Sequence, residues 1–311
     1  MRRFDALSPN LQGACWMLTA ALTFTIMTTL VKFLGNDYPA GLQTFYRQAA
    51  GVIVLLPLMA RDWRRAFYTT RPGILLFRSA AGTLATILSF YAYQALPLAD
   101  ANALSFTRSL WLVPLAAFVL REKIGFPRVI AALAGFAGVV LLVSGMGGGG
   151  TGNATGMALL WGQGAALASA LLFALTITGM KVMVRDHAPL VLLVYAALLG
   201  LAFSIPPAIF VWRWPGLLDL ALLAIMGAFG VITQACYIKG MAVGDAAAMA
   251  PIDYTRLVFA VIAGFVLFGD IPAWTTIAGA LIVVGSTLYI TWSEQRASNR
   301  LARAAASQAH S

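Results

Sequence analysis

The sequence predicts an all-α integral membrane protein whose ten transmembrane helices form two inverted five-helix repeats. Three observations predict this fold class. Of the 311 residues, 60% are hydrophobic and only 10% are charged, whereas a soluble domain carries about 25% charged residues. The chain contains ten apolar segments close to the roughly 20 residues that a spanning helix needs. Residues of the first half also recur about 148 positions later in the second half.

The apolar segments give the predicted helices in order. They cover residues 13–34, 41–60, 73–94, 98–120, 128–146, 156–181, 188–211, 216–238, 243–268 and 272–292. The first is a retained helix, because its apolar run exceeds the roughly 7–15 residues of a signal-peptide core. The predicted domains are an N-terminal segment 1–12, a first repeat 13–146, a Gly-rich linker 147–155, a second repeat 156–292 and a polar tail 293–311.

Basic residues in the loops predict the orientation of these helices. With both termini in the cytoplasm, nearly all loop Lys and Arg lie on the cytoplasmic side, as the positive-inside rule requires. Arg213 and Lys32 are the exceptions. The sequence therefore predicts a multi-pass protein of the cell (inner) membrane with both termini cytoplasmic.

The internal repeat is clearest in two helices that carry deep charges. A shift of 148 positions places Phe106-Thr107-Arg108 on Tyr254-Thr255-Arg256 and Glu122 on Asp270, and a shift of 149 places Lys32 on Lys181. Five helices in each half reverse the direction in which the second half enters the membrane. Inverted repeats of this kind are typical of secondary transporters, whose substrate sites lie near the midplane between the halves.

Other classes of protein lack support in the sequence. The net charge of +10 arises from positive residues between apolar runs, which does not indicate nucleic-acid binding. Cys15, Cys236, His187 and His310 form no metal, disulfide or catalytic pattern. The chain has no GxxxxGK[ST] phosphate loop, so it is not an ATP-driven pump. We expect no enzyme activity, no catalytic residues, no metal and no cofactor.

Several motifs resemble the drug/metabolite transporter superfamily, specifically its ten-helix EamA-type members. They are FYR at Arg47, FRS at Arg78, the helix ends REK and FGD, and the run APIDYTRLVFAVIAGFVLFGD from position 250. The resemblance covers about residues 13–292. It implies secondary transport of small organic metabolites through a central cavity between the halves. It does not fix the substrate, because members move amino acids, nucleotide-like molecules, riboflavin, S-adenosylmethionine, amines and sugar derivatives.

Three ionisable residues lie deep in the predicted helices, namely Arg108, Asp253 and Arg256. Charges at this depth are costly and usually face a cavity or a partner. Asp253 and Arg256, three residues apart, could form a local ion pair and nothing more. Alternatively, Arg108 or Arg256 binds a substrate carboxylate or phosphate bidentately. Asp253 is also the candidate carrier of a coupling proton.

Aromatic and amide side chains complete the predicted substrate-binding set. Gln163 and Gln234 are expected to face the protein interior, because an amide facing lipid leaves its polar atoms unsatisfied. The aromatic members are Tyr91, Trp111 and Tyr254. Two further groups have other expected roles: Arg47 and Arg78 in packing or gating, and Glu122 and Asp270 in anchoring loops or gating.

The sequence thus predicts a secondary transporter that works by alternating access on a small organic metabolite in the lipid bilayer. The first interpretation of its substrate is an amino-acid-like or carboxylated aromatic compound. The alternative is uptake of a vitamin or nucleotide-like metabolite such as riboflavin or S-adenosylmethionine, and a third is flipping of a lipid-linked metabolite. Direction, coupling ion and the choice between monomer and homodimer stay open.

Overall fold

The computed structural model describes residues 9–61, 72–118, 125–145, 156–183, 189–243 and 246–308. In these ranges the chain is helical, and no β-strand occurs. Glu122 and the predicted linker 147–155 lie outside the described residues.

The first half contains six helices, which make five crossings. They are α1 (Pro9–Phe33), followed by a 3₁₀ turn (Leu34–Asn36), α2 (Ala40–Arg61), α3 (Pro72–Ala95), α4 (Leu98–Ser105), α5 (Thr107–Phe118) and α6 (Phe126–Gly145). Together, α4 and α5 make the fourth span. Pro9 and Pro72 open their helices, where the missing N–H costs no hydrogen bond.

The second half repeats this order. Its helices are α7 (Gly156–Met183), α8 (Pro189–Phe210), α9 (Leu217–Val243), α10 (Ala246–Asp253), α11 (Thr255–Ala263) and α12 (Trp274–Gln308). A π turn, Gly264–Phe268, follows α11, and the three segments α10, α11 and the π turn make the ninth span. We call the end of the bundle at which α1 begins the terminal face and the opposite end the distal face.

Seven segments within the described residues are long and apolar enough to cross a bilayer by themselves. The other three crossings are α2, which carries the polar residues Gln43, Arg47 and Gln48, the broken fourth span, and α8, whose apolar part is shorter. These three crossings complete five in each half. The fold class predicted from the sequence, ten helices in two inverted repeats, is confirmed.

Contacts between the halves occur in symmetry-related pairs. α1 packs against α9, and its equivalent in the second half, α7, packs against α3. The contact of α2 with α9 is likewise matched by that of α8 with α3. In addition, α2 contacts its own equivalent α8, and α6 contacts its own equivalent α12. The two halves therefore pack about a pseudo-two-fold axis.

Glycines bring α6 and α12 together. A Cβ added to Gly279 would lie 2.7 Å from the carbonyl oxygen of Gly138 and 2.8 Å from the Cβ of Leu142. No side chain larger than hydrogen fits at this crossing. Small residues allow close approach of helices in membranes, and this packing explains the small residues of both helices.

The structure differs from the sequence-based prediction in three helices. The fourth and ninth spans were expected to be continuous, but each is interrupted, at Phe106 and at Tyr254. Hydropathy does not detect such breaks, because an interrupted span is as apolar as a continuous helix. The tail was predicted as a polar segment that begins at residue 293, after the last helix, yet α12 continues to Gln308. Its Ala- and Arg-rich composition favours helix.

Candidate binding site at the helix breaks

The break in the fourth span is a single tight turn centred on Phe106. The amide of Phe106 donates to the carbonyl of Ala103 at 3.2 Å, and that of Ser109 donates to Phe106 at 3.1 Å. These bonds join residues three apart, as in a 3₁₀ helix, instead of four apart. The hydroxyl of Thr107 donates to the carbonyl of Leu104 at 2.7 Å. A side chain thereby satisfies a carbonyl beside the break.

The ninth span breaks in the same way at the equivalent residue. The amide of Tyr254 donates to Pro251 at 3.3 Å, and that of Leu257 donates to Tyr254 at 3.0 Å. The hydroxyl of Thr255 donates to the carbonyl of Ile252 at 2.7 Å. Each of these bonds has its counterpart 148 positions earlier, so the two breaks are one structural feature present twice.

The repeated aromatic–Thr–Arg sequence therefore marks both breaks. Pro251 lies three residues before Tyr254, but the first break has Ala103 in that position, so proline is not required. Non-helical backbone within a membrane occurs where it is buried in protein or lines a cavity. Broken helices near the midplane are where many secondary transporters bind substrate.

Aromatic rings join the two breaks. The ring centroids of Phe106 and Tyr254 lie 4.6 Å apart and the rings are tilted by 52°. Phe106 is buried, whereas Tyr254 is half-buried. The two spans thus meet at the turns themselves, and the charged residues that follow each turn lie close to one another.

Three charged side chains gather at this point. Arg108 Nη2 lies 3.6 Å from Asp253 Oδ2, and Arg256 Nη2 lies 4.0 Å from the same oxygen. One carboxylate is therefore shared by two guanidinium groups, and the cluster carries a net positive charge. The side chains of Arg108 and Asp253 are 28% and 21% exposed, whereas that of Arg256 is 5% exposed. Solvent reaches the first pair but not Arg256.

The two arginines have different surroundings. The guanidinium of Arg256 lies 4.1 Å from the ring centroid of Phe106 and 5.1 Å from that of Phe24. Its Nη2 also donates to Ser105 Oγ at 3.3 Å. Cation–π contacts on two rings hold a desolvated guanidinium in place. Arg256 is therefore fixed by the protein, while Arg108 presents its guanidinium to the solvent-accessible side of the cluster.

Buried polar groups surround the cluster towards the distal face. Tyr93 is 2% exposed, its hydroxyl lies 3.4 Å from Asn102 Oδ1, and its ring makes an edge contact with Phe24. Asn102 Nδ2 donates to the carbonyl of Leu98 at 2.9 Å. Asn102, Ser105 and Phe24 were not among the predicted site residues. Asn102 could have been identified by the argument used for the glutamines, since it is an amide within an apolar span.

The remaining predicted site residues lie elsewhere. Gln163 is 5% exposed and its Nε2 donates to the carbonyl of Val143 at 3.4 Å, so it faces the protein interior as expected. Trp111 packs edge-on against Phe136 at 4.9 Å. Gln234 is exposed, so the expectation that it faces the protein interior is wrong: the argument from its polar amide cannot tell which side of the helix the side chain is on. Tyr91 is also exposed. The described contacts do not bring these four to the charged cluster, and their binding role stays a prediction.

This arrangement suits a ligand that carries opposite charges. A guanidinium binds a carboxylate through two parallel hydrogen bonds, and Arg108 is the accessible donor. Asp253 could accept hydrogen bonds from an ammonium group. The ring of Tyr254, half-buried beside the cluster, suits a flat or cationic body. Among the described residues, no group of three or more His, Cys, Asp or Glu could hold a metal ion.

Comparison with known proteins agrees with this fold. The EamA-like transporter family matches residues 11–144 and again residues 160–292. The S-adenosylmethionine uptake transporter of Rickettsia prowazekii (strain Madrid E) is 30% identical over 292 residues, which cover 94% of this chain and 96% of that protein. The riboflavin transporter of Vibrio cholerae serotype O1 is 30% identical over 301 residues, covering 93% and 96%.

More distant proteins share the same architecture. Human solute carrier family 35 member G1 is 27% identical over 292 residues, covering 89% of this chain and 78% of that protein. One solved crystal structure is 21% identical with a TM-score of 0.60, covering 92% of this chain and 97% of that chain, and it supports the fold alone. The double family match corresponds to the two five-helix halves. The chain belongs to the EamA-like transporter family of the drug/metabolite transporter superfamily.

Proposed function

We propose that this protein imports S-adenosylmethionine or a closely similar metabolite by alternating access. The observation that carries the proposal is the solvent-accessible Arg108–Asp253 pair, 3.6 Å apart, beside the aromatic contact of Phe106 and Tyr254. S-adenosylmethionine contains a carboxylate, an ammonium, a sulfonium and a flat adenine ring. Arg108 suits the carboxylate, Asp253 suits the ammonium or the sulfonium, and the half-buried ring of Tyr254 suits the adenine.

The charges favour this substrate over riboflavin. Riboflavin has a flat ring but neither a carboxylate nor an ammonium group, so it offers no charged group to Arg108 or Asp253. The charge-assisted hydrogen bonds that S-adenosylmethionine could make with these side chains are stronger than neutral ones. The aromatic pair alone supports riboflavin as a second candidate. The relatives named for these two compounds favour the vitamin or nucleotide-like alternative over an unspecified amino-acid-like compound, and S-adenosylmethionine combines an amino-acid head with a nucleoside.

The membrane setting completes the proposal. The terminal face lies in the cytoplasm of a cell (inner) membrane, as the loop charges favour. The repeats 13–146 and 156–292 rock against each other about the shared site, and the linker 147–155 joins them. The breaks at Phe106 and Tyr254 lie on equivalent spans, so movement of one half relative to the other changes which side of the cluster is open.

Counterflow in proteoliposomes tests the proposal. Purified protein is loaded with unlabelled compound, and uptake of labelled S-adenosylmethionine, riboflavin or methionine is followed. We expect saturable exchange of S-adenosylmethionine and weak exchange of the other two. Exchange of riboflavin alone would favour the second candidate, and exchange of none of them would contradict the proposal.

Two variants and one analogue then test the role of the charges. Arg108→Ala is expected to lower the apparent affinity about tenfold or more, because a charge-assisted pair contributes about 1.5–3 kcal/mol. Arg213→Ala, which removes an arginine whose guanidinium contacts only the carbonyl of Asp37 among the described residues, is the matched control. S-adenosylmethionine that lacks its carboxylate should bind the parent weakly, and the Arg108→Ala variant should discriminate little between the two compounds. If the parent and the Arg108→Ala variant discriminated equally between S-adenosylmethionine and this analogue, Arg108 would not be the partner of the carboxylate.

A further inference from the structure

A second ion pair lies at the distal face, apart from the charged cluster. Lys32 Nζ is 2.6 Å from Asp270 Oδ2, and the two side chains are 15% and 20% exposed. Lys32 belongs to the last turn of α1, and Asp270 follows the π turn that ends the ninth span. The pair therefore connects the distal end of the first half with that of the second.

Backbone and aromatic groups extend this connection to the fourth span. Lys32 Nζ donates to the carbonyl of Leu96 at 3.2 Å, and the amide of Leu98 lies 3.4 Å from Asp270 Oδ2. The ammonium also lies 4.8 Å from the ring centroid of Phe268. We call these five residues the distal latch. It joins α1, the turn between α3 and α4, and the end of the ninth span.

Helix α4, which begins at the latch, is buried. Every residue from Leu98 to Leu104 is buried, on all sides of α4. By contrast, Arg108 and Asp253, beyond the breaks, are 28% and 21% exposed. Exposure therefore increases along the fourth span, from the buried residues beside the latch to the charged cluster beyond the break.

The geometry at the latch suits a contact that forms and breaks. Gly269, next to Asp270, has φ of 67°, a left-handed conformation that glycine adopts without strain. The preceding π turn is a type of irregularity often found at functional sites. When separated, Lys32 and Asp270 lie at the membrane edge, where water solvates both charges.

From this geometry we infer that the distal latch is the external gate of the transporter. Separation of Lys32 from Asp270 opens the distal face to the charged cluster, and its re-formation seals that face before substrate leaves towards the terminal face. The sidedness of uptake rests on the proposed function. The gate itself depends on no particular substrate.

Cysteine accessibility tests this gate without any transport assay. The free cysteines are replaced (Cys15→Ser and Cys236→Ala), and Ser105→Cys supplies a reporter beside Arg256. A membrane-impermeant methanethiosulfonate reagent is then applied to one face or the other. We expect slow labelling from the distal face and fast labelling from the terminal face.

Latch variants in this background give the decisive comparison. Asp270→Asn or Lys32→Ala is expected to raise the labelling rate from the distal face about tenfold, through a shift towards the open population. The rate from the terminal face should not rise. Lys239→Ala is the matched control, because Lys239 also lies over an aromatic ring, that of Trp16 at 4.7 Å, but near the terminal face.

A charge exchange separates gating from general loosening of the fold. Lys32→Asp alone opposes two carboxylates, whereas Lys32→Asp combined with Asp270→Lys restores an ion pair and should restore slow distal labelling. The gate would be contradicted if the single variants left the labelling rate from the distal face at the parent value. It would also be contradicted if labelling rates rose equally from both faces. If labelling follows the latch but no exchange of S-adenosylmethionine is found, the gate stands and the proposed substrate fails.

Discussion

Phe106 and Tyr254 lie in contact, with ring centroids 4.6 Å apart, at equivalent positions of the two repeats. Each is the residue at which its span is interrupted. A contact between equivalent residues lies close to the pseudo-two-fold axis that relates the halves. The bonding pattern of each turn is repeated in the other, so both breaks belong to the architecture of the site and are not local defects.

The contacts of Phe106 with Tyr254 and Arg256 predict a role in stabilising the site. Phe106→Ala removes one ring from the aromatic pair and the nearer of two rings from Arg256. These contacts lie within the protein and contribute about 0.5–2 kcal/mol each, so we expect the unfolding temperature in detergent to fall. Tyr254→Phe, which keeps the ring, is the control and should unfold near the parent temperature. An unchanged unfolding temperature in Phe106→Ala would contradict this role.

The different burial of the two arginines predicts different consequences of their loss. Arg108 is partly exposed, so Arg108→Ala should raise KM with little change in thermal stability. Arg256 is 5% exposed and is held by Phe24, Phe106 and Ser105. Arg256→Ala should therefore lower the stability of the fold by about 1–3 kcal/mol, because it removes two cation–π contacts and a hydrogen bond.

Thermal unfolding in detergent, measured beside KM, separates these two effects. Arg256→Lys keeps the charge but loses the planar group that lies between the two rings, and it should fall between the parent and the alanine variant. If Arg108→Ala proved the more destabilising of the two alanine variants, this division of roles would be wrong.

The sequence predicted much of this arrangement, for identifiable reasons. Apolar composition and the length of the apolar segments suffice for the class and number of helices, because the bilayer requires long apolar helices. The repeat aligned Arg108 with Arg256, and depth within the predicted helices added Asp253 to this group. The breaks were missed, since a 3₁₀ turn at Phe106 needs no proline or glycine. The partner of Asp270 was missed too, because Lys32 lies 238 positions away and only the packed halves bring them together.

Asp253 remains the candidate carrier of a coupling proton. If it has this role, an imposed gradient with the acidic side at the distal face should stimulate accumulation of substrate. Asp253→Asn should abolish that stimulation while exchange without a gradient continues, because the amide cannot exchange a proton in this way. Labelled uptake with and without the gradient measures the effect. Accumulation that ignores the gradient in the parent protein would exclude proton coupling.

The crossing of α6 and α12 predicts a strict requirement for glycine at one position. Gly279→Ala places a methyl group 2.7 Å from the Gly138 carbonyl oxygen and 2.8 Å from the Leu142 Cβ. The helices must separate, and we expect a loss of about 1–3 kcal/mol in stability, as is typical of overpacking. Gly285→Ala is the control on the same helix, since its new Cβ meets no atom within 4 Å in the described structure. It should leave the unfolding temperature unchanged or raise it, because alanine favours helix. Equal effects of the two substitutions on thermal unfolding would show that intrinsic helix propensity, and not the close approach of α6, governs this crossing.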